Sequence, residues 1–286
     1  MDTAAVETTK TRRFLFADGD EEILTEYRLN PVMDIPRLRA ILALRDAGRS
    51  EDPLRRRHQA LRAMGFLKRI ANPDADERLN NRGYFPHYLT RRGWHWLFER
   101  GLVAVELSVG DRTSKNVPHE LKLTDLYIAL LRGAKAESWG IVRWERVPAL
   151  LYHAFGDGSV NPDVYVHLRR GDEETCGFVE LENSREAHYD REGKSSLMRK
   201  LEGYEAYWES GEFERRWRMP TFRIFAVMPT AERAASVCER AADLDITHDR
   251  LFACDFGAAV SSPAGAIFRT PRRNEPVYSF FGQSLE

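Results

Sequence analysis

Apolar residues recur at helical spacing through the first part of the chain, and Pro and Gly mark where the recurrence breaks. Ile23, Leu24 and Tyr27 start a helix near Glu21 that has to end before Pro31. Leu38, Ile41, Leu42 and Leu44 give a second helix, Ile35 to Ala47, one apolar face, and Gly48 stops it. Ser50 is a candidate N-cap, and Pro53 is tolerated in a first turn. Leu54, Leu61 and Met64 then carry a third helix from Glu51 to Met64. Two consecutive helices joined by a tight glycine turn make a helix-turn-helix signature.

Past Gly65, Phe66 to Ile70 reads as a strand, Asn72 to Gly83 as a polar loop and Tyr84 to Leu89 as a returning strand. Thr90 caps a closing helix that contains Trp94, Trp96, Leu97 and Phe98. The pattern predicts a winged helix-turn-helix over residues 20–105, with the hairpin as the wing.

From Pro118 the pattern changes. His119 to Arg132 is apolar on most sides and predicts a well-buried helix. Strands follow at Ile141 to Val147, Asp163 to Leu168 and Cys176 to Leu181, with Gly156, Gly158 and Pro162 marking a turn. A helix from Ser195 to Glu209 carries Leu197, Leu201, Tyr204 and Trp208 on one stripe. Then come a strand at Phe222 to Met228, a helix at Ala231 to Leu244 and a short strand at Arg250 to Cys254. Meander strands followed by a βαβ crossover imply a mixed sheet with helices on both faces, over residues 118–257. Residues 1–19 read as a disordered tail. Residues 258–286 read as a C-terminal tail whose Tyr278, Phe280 and Phe281 suit docking onto the domain or onto another protein.

Charge sharpens the first half. The net charge is −1, yet Ile35 to Arg100 holds 15 Lys and Arg against 7 Asp and Glu. Such a split points one half at a polyanion. An acidic protein or lipid headgroups would suit a basic face as well, but the arginines fall on the helix that double-stranded DNA binding requires. Arg55, Arg56, Arg57, Gln59 and Arg62 are expected on the outward face of the third helix. Arginine grips phosphates or guanine edges in a bidentate fashion, and glutamine reads adenine. Arg78 and Arg82 in the wing loop are placed to reach an adjacent groove. The competing use of such a unit is a protein contact, as a homodimer face or a partner site.

Carboxylates mark the second half. Asp163 follows Pro162, and Glu180 and Glu182 lie on one face of a later strand by period-2 alternation. Adjacent carboxylates at a sheet edge suit a hard divalent ion, Mg²⁺ or Mn²⁺, held by Asp163 and Glu180. Such an ion polarises a phosphodiester and generates a hydroxide. Lys200 on the next helix would orient the water or stabilise the transition state. Read blandly, Asp163 caps a turn, Glu180 pairs with an arginine and Lys200 sits in water. His119 reads as a hydrogen bonder at a helix start more than as a base. His153, His167 and His188 are isolated.

These residues carry a resemblance. Tyr88-Leu89-Thr90-Arg91-Arg92-Gly93 resembles the YxLTxxG ending of many bacterial winged-helix domains, and Leu61 to Arg69 precedes it suitably. Asn161-Pro162-Asp163, Glu180-Leu181-Glu182 and Lys200-Leu201-Glu202-Gly203-Tyr204 resemble the PD-(D/E)XK phosphodiesterase superfamily. More narrowly, with His119-Glu120-Leu121 at a helix start, the stretch from Glu21 to Met228 is similar to the replication-relaxation family of bacterial plasmids and mobile elements. The resemblance implies a DNA-binding winged helix ahead of a nuclease-like mixed α/β domain. Its catalytic group would be Asp163, Glu180, Glu182 and Lys200. Glu182 departs from the pattern, standing where the superfamily's strand lysine falls, and the resemblance lets Lys200 take that place from the helix. Two activities stay open: a metal-dependent DNA nuclease or nicking factor of a plasmid, mobile element or defence system, and a non-catalytic DNA-binding accessory or regulator.

Three widely spaced cysteines, Cys176, Cys238 and Cys254, support neither a disulfide framework nor a zinc cluster and suit a reducing cytoplasm. Met1 to Arg13 lacks the apolar core of a signal peptide, and no run of about 18 apolar residues occurs. A cytoplasmic protein with no membrane contact is expected.

Overall fold

The computed structural model describes residues 16–17, 19–45, 50–70, 85–104, 116–146, 148–156, 158–183, 196–243 and 249–281. Arg78, Arg82, His188 and most of the 1–19 segment lie outside the described residues, as do 105–115, where the two halves join. Three acidic residues open α1 (Asp20–Leu29) and Arg28 closes it, so both ends complement the helix dipole. A two-residue strand, β1 (Val32–Met33), leads into α2 (Ile35–Leu44), where the Asp34 side chain accepts from the Arg37 N–H at 3.1 Å. Next come α3 (Glu51–Ala63), β2 (Leu67–Arg69), β3 (His87–Leu89) and α4 (Arg91–Glu99). The three strands form an antiparallel sheet in the order β1-β3-β2. At two residues, β1 is too short to show alternation, and the sequence pattern does not reveal it.

The Thr90–Gly93 motif has a steric cause. Thr90 Oγ1 donates to the Gly65 carbonyl at 2.6 Å and accepts from the Gly93 N–H at 3.2 Å, so it ties the end of α3 to the start of α4. A Cβ at position 93 would stand 2.6 Å from the Phe66 carbonyl oxygen, so only glycine allows α4 to approach this closely.

The second half starts with the 20-residue α5 (Val117–Ala136). A seven-stranded mixed sheet follows. Its strands are β4 (Gly140–Glu145), β7 (Val164–Arg170), β8 (Glu173–Leu181), β9 (Arg223–Met228), β10 (Leu251–Asp255), β11 (Phe268–Thr270) and β12 (Arg273–Tyr278), in the order β12-β11-β10-β9-β8-β7-β4. The β8–β9 and β9–β10 pairs are parallel and the rest are antiparallel. A short α6 (Pro148–Leu151) and a hairpin of β5 (His153–Phe155) and β6 (Gly158–Val160) occupy the stretch expected to be a turn. Leu197, Leu201 and Tyr204 of α7 (Ser196–Glu209), Phe213 of α8 (Glu212–Trp217) and Ala234 and Val237 of α9 (Ala231–Asp243) cover one face of the sheet. On the other face lie α5 and α10 (Phe256–Ser261). The chain is thus a mixed α+β protein, with a helical N-terminal region followed by a mixed sheet between helices.

Two boundaries differ from the sequence reading. Residues 258–281 are not a tail: β11 and β12 extend the sheet, and Phe268, Phe280 and Phe281 are buried in its core. The Ser, Pro and Gly residues that suggested a tail only form the bend between α10 and β11. The two halves also share one hydrophobic core, in which Leu38 and Ile41 of α2 join Leu126 and Leu130 of α5 and Val164 and Val166 of the sheet. Polar contacts follow the same seam. Arg37 forks onto Asp125, with both contacts at 2.8 Å, and the fully buried Arg146 meets Glu120 at 2.5 Å and Asn30 at 3.4 Å. Among the described residues no helix is long and apolar enough to cross a membrane. All three cysteines are buried free thiols.

Candidate functional site

The basic helix divides its arginines between structure and solvent. Arg56, Gln59 and Arg62 are exposed on α3 and, among the described residues, make no ion pair or side-chain hydrogen bond. Arg55 is tied to Glu51 one turn earlier, its Nη2 at 2.7 Å. Arg57 does not belong to the outward row. It turns back to the fully buried carboxylate of Asp20, with Nε 2.9 Å from Oδ1, because the step of about 100° per residue carries it off the face of Arg56 toward α1. Lys68 and Arg69 of β2 extend the exposed basic surface, with Arg69 lying over the Phe85 ring at 3.0 Å. Arg37 and Arg45, which sequence counting adds to the basic excess, are spent on Asp125 and Glu26.

The carboxylates gather at one end of the sheet. Val164 pairs with Val179 across β7 and β8, so Asp163, one step beyond, stands opposite Glu180. Glu180 is buried and both of its oxygens are taken. Lys200 Nζ donates to Oε2 at 2.5 Å, and the Tyr204 hydroxyl donates to Oε1. Lys200 and Tyr204 are one turn apart on α7 and therefore approach the same carboxylate together. Asp163 Oδ2 accepts from the Leu181 N–H at 2.9 Å and lies 3.4 Å from His119 Nε2. Glu182 is drawn to Arg233 of α9, 3.6 Å away. Asp163, Glu180 and Lys200 are thus brought together, whereas Glu182 has its own partner. Tyr204 reads in the sequence as a core stripe residue, and its i, i+4 spacing from Lys200 was the signal for its polar role. His119 is a hydrogen bonder, as its position suggested, but its partner comes from 44 residues away.

The electrostatics follow from burial. Loss of water and the facing charge of Asp163 push the Glu180 carboxyl up to about 7, against the pull of Lys200 and Tyr204. Burial acts to raise Asp163 too, yet His119, Lys200 and the Leu181 N–H hold it below the usual carboxylate range. Burial pulls His119 and Lys200 down, and their carboxylate neighbours more than reverse it, leaving both raised. Chemically, this is a charge-neutralised set of two carboxylates, one ammonium and one imidazole. Asp163 and Glu180 offer the oxygen donors a hard divalent ion takes. Both Glu180 oxygens are engaged, however, and among the described residues no group of three or more His, Cys, Asp or Glu is arranged to hold an ion.

The sequence pattern described as replication-relaxation matches residues 36–220, from α2 to just past α8. The chain belongs to the replication-relaxation family. The matched span takes in both the basic helix and the carboxylate cluster. No curated protein and no solved structure is similar enough to match.

Proposed function

We propose that this replication-relaxation protein binds duplex DNA through its N-terminal unit, used as a winged helix, in the replication or relaxation of a plasmid or other mobile element. One observation carries the reading: among the described residues Arg56, Gln59 and Arg62 are exposed on α3 without an ion pair, while Arg55, Arg57, Arg37 and Arg45 are all engaged. Unpaired arginines on one helix face supply phosphate contacts, and glutamine beside them supplies a base-edge contact. Use of the same unit only as a protein contact predicts no salt-dependent affinity for DNA. The deciding experiment is fluorescence anisotropy with a labelled duplex at about 50 and about 200 mM salt. Steep weakening with salt, lost when Arg56, Gln59 and Arg62 are replaced by alanine, supports the reading. Equal binding by the variant removes it.

A second reading keeps the carboxylates as a divalent-ion phosphodiesterase site, and the raised Glu180 beside Asp163 favours it. Burial and the facing Asp163 carboxylate disfavour the charged form of Glu180, and a Mg²⁺ or Mn²⁺ ion would offset both. Lys200 already neutralises Glu180, so the ion has to compete with it, and the residues as arranged are not a ready ion site. Nicking of supercoiled plasmid with Mn²⁺, compared between the wild type and Asp163→Ala, separates this reading from a non-catalytic accessory.

A further inference from the structure

Outside the carboxylate cluster lies a groove of about 550 Å³, lined by Asn116, Pro118, His119 and Lys122 from the start of α5 and by Asn183 just after β8. Among the described residues no carboxylate lines it. Lys122 is half-buried there and, among the described residues, makes no ion pair; its one recorded contact is the Phe256 ring at 5.3 Å. An ammonium that lines a groove and pairs with no described carboxylate is available to an anion. The acidic residue of this first turn does not serve, because Glu120 is drawn into the core by Arg146 at 2.5 Å. Among the described residues Asn183 Oδ1 is a buried polar atom without a partner, and amide oxygen and nitrogen exchange places by a simple flip that would present a donor. His119 also lines the groove, and its Nε2 lies 3.4 Å from Asp163 Oδ2. The groove therefore ends at the carboxylate pair.

We infer that this groove holds a phosphate of a nucleic-acid backbone, with Lys122 as its counter-cation and the Asn116 and Asn183 amides as donors. His119 is the positioning contact that sets the bound phosphodiester against Asp163. This rests on the reading of the protein as DNA-binding, but it assigns a second contact, far along the chain from α3, and delivers the strand to the sheet end. A free phosphate or nucleotide shares the same chemistry, so the source has to be resolved by experiment.

The test uses the full chain with Arg56, Gln59 and Arg62 replaced by alanine, which silences the first contact. The probes are a labelled hexathymidylate and inorganic phosphate. Residual oligonucleotide binding should weaken about tenfold in Lys122→Ala and return in Lys122→Arg. Asn183→Asp, which places a carboxylate in the groove without removing packing, should weaken it as well, and melting curves check that each variant is folded. Unchanged affinity in folded Lys122→Ala and Asn183→Asp overturns the inference. So does Lys122-dependent binding of inorganic phosphate without binding of the oligonucleotide. Failure of the wild-type duplex titration strikes the α3 reading alone, since the oligonucleotide arm does not use α3.

Discussion

Arg57 and Asp20 form an ion pair that joins α3 to the first turn of α1, with the carboxylate fully buried and the guanidinium about a quarter exposed. The Asp20 carboxylate also accepts from the Ala17 N–H at 2.9 Å. Three consecutive arginines thus have three different duties: Arg55 pairs along its own helix, Arg56 faces solvent and Arg57 holds the fold.

Arg57→Ala should therefore destabilise the protein, by about 2 kcal/mol. A fully buried pair loses ~3–5 kcal/mol on such truncation, and water at the guanidinium reduces that. Arg56→Ala and Arg62→Ala should leave the melting temperature nearly unchanged and weaken duplex binding. Melting curves and anisotropy on the same three variants check this. A stable Arg57→Ala with selectively lost DNA affinity would return Arg57 to the outward row.

The shared core predicts one cooperative unfolding transition. Trp94 belongs to the N-terminal unit and Trp139 and Trp144 to the second half, yet all three lie in the same hydrophobic cluster. Thermal unfolding followed by tryptophan fluorescence and by far-ultraviolet circular dichroism should give coincident curves. The sequence pattern ends the first unit at 105 and starts the second at 118, and a protease cut between them should yield two pieces that co-elute. Separation of the pieces, or two transitions, would mean that the seam along α5 is weak.

How far the fold is legible in the sequence depends on the range of the signal. Helix periodicity and the Gly and Pro breaks locate α1 to α3, α5, α7 and α9 within a few residues, because those signals are local. Apolar residues on most sides of α5 were the trace of its double burial, against the sheet and against α2. The strands β11 and β12 escaped because a Ser, Pro and Gly bend precedes them and pairing with β10 is a long-range choice. At the site, the spacing of Asp163 and Glu180 was readable as acidic strand ends. That Glu180 is closed off by Lys200 and Tyr204 was not, because which face of α7 meets the sheet depends on tertiary packing.

Tyr204→Phe and Lys200→Ala probe that closure. Removing the Tyr204 hydroxyl leaves a buried carboxylate oxygen without its donor and should cost about 1.5–3 kcal/mol. Lys200→Ala should lower the melting temperature and, if an ion can take the place of the ammonium, enlarge the stabilisation by Mn²⁺ relative to wild type. A Mn²⁺ effect absent from both proteins would leave the cluster as a structural ion pair.

Stability toward acid should be governed by His58 and His87. Both are buried, His58 lies 2.8 Å from the Tyr27 hydroxyl, and the rings meet edge to face at 4.4 Å. Burial, and then the nearby Arg62 charge, lowers His58 to about 4; burial and the neighbouring His58 lower His87 to about 3. Depressed histidines bind protons more readily when unfolded, so their contribution is complete above about pH 6.5 and is lost as pH falls toward the folded values. Glu26 acts in the opposite sense. Burial raises it to about 7, so its contribution is full below its unfolded value of 4.5 and is lost as pH rises toward 7. The two effects oppose each other across the same window, and Glu180, also raised to about 7, acts in the same sense as Glu26, so the His58 share is read as the difference that His58→Gln makes in a Glu26→Gln background. In that background the melting temperature should fall clearly between about pH 7.5 and about pH 5, and adding His58→Gln should remove a large part of the fall. For His58 alone the change over that window is roughly 2 kcal/mol, at about 1.4 kcal/mol per pKa unit. A fall of the same size with and without His58→Gln would show that the acid sensitivity arises elsewhere.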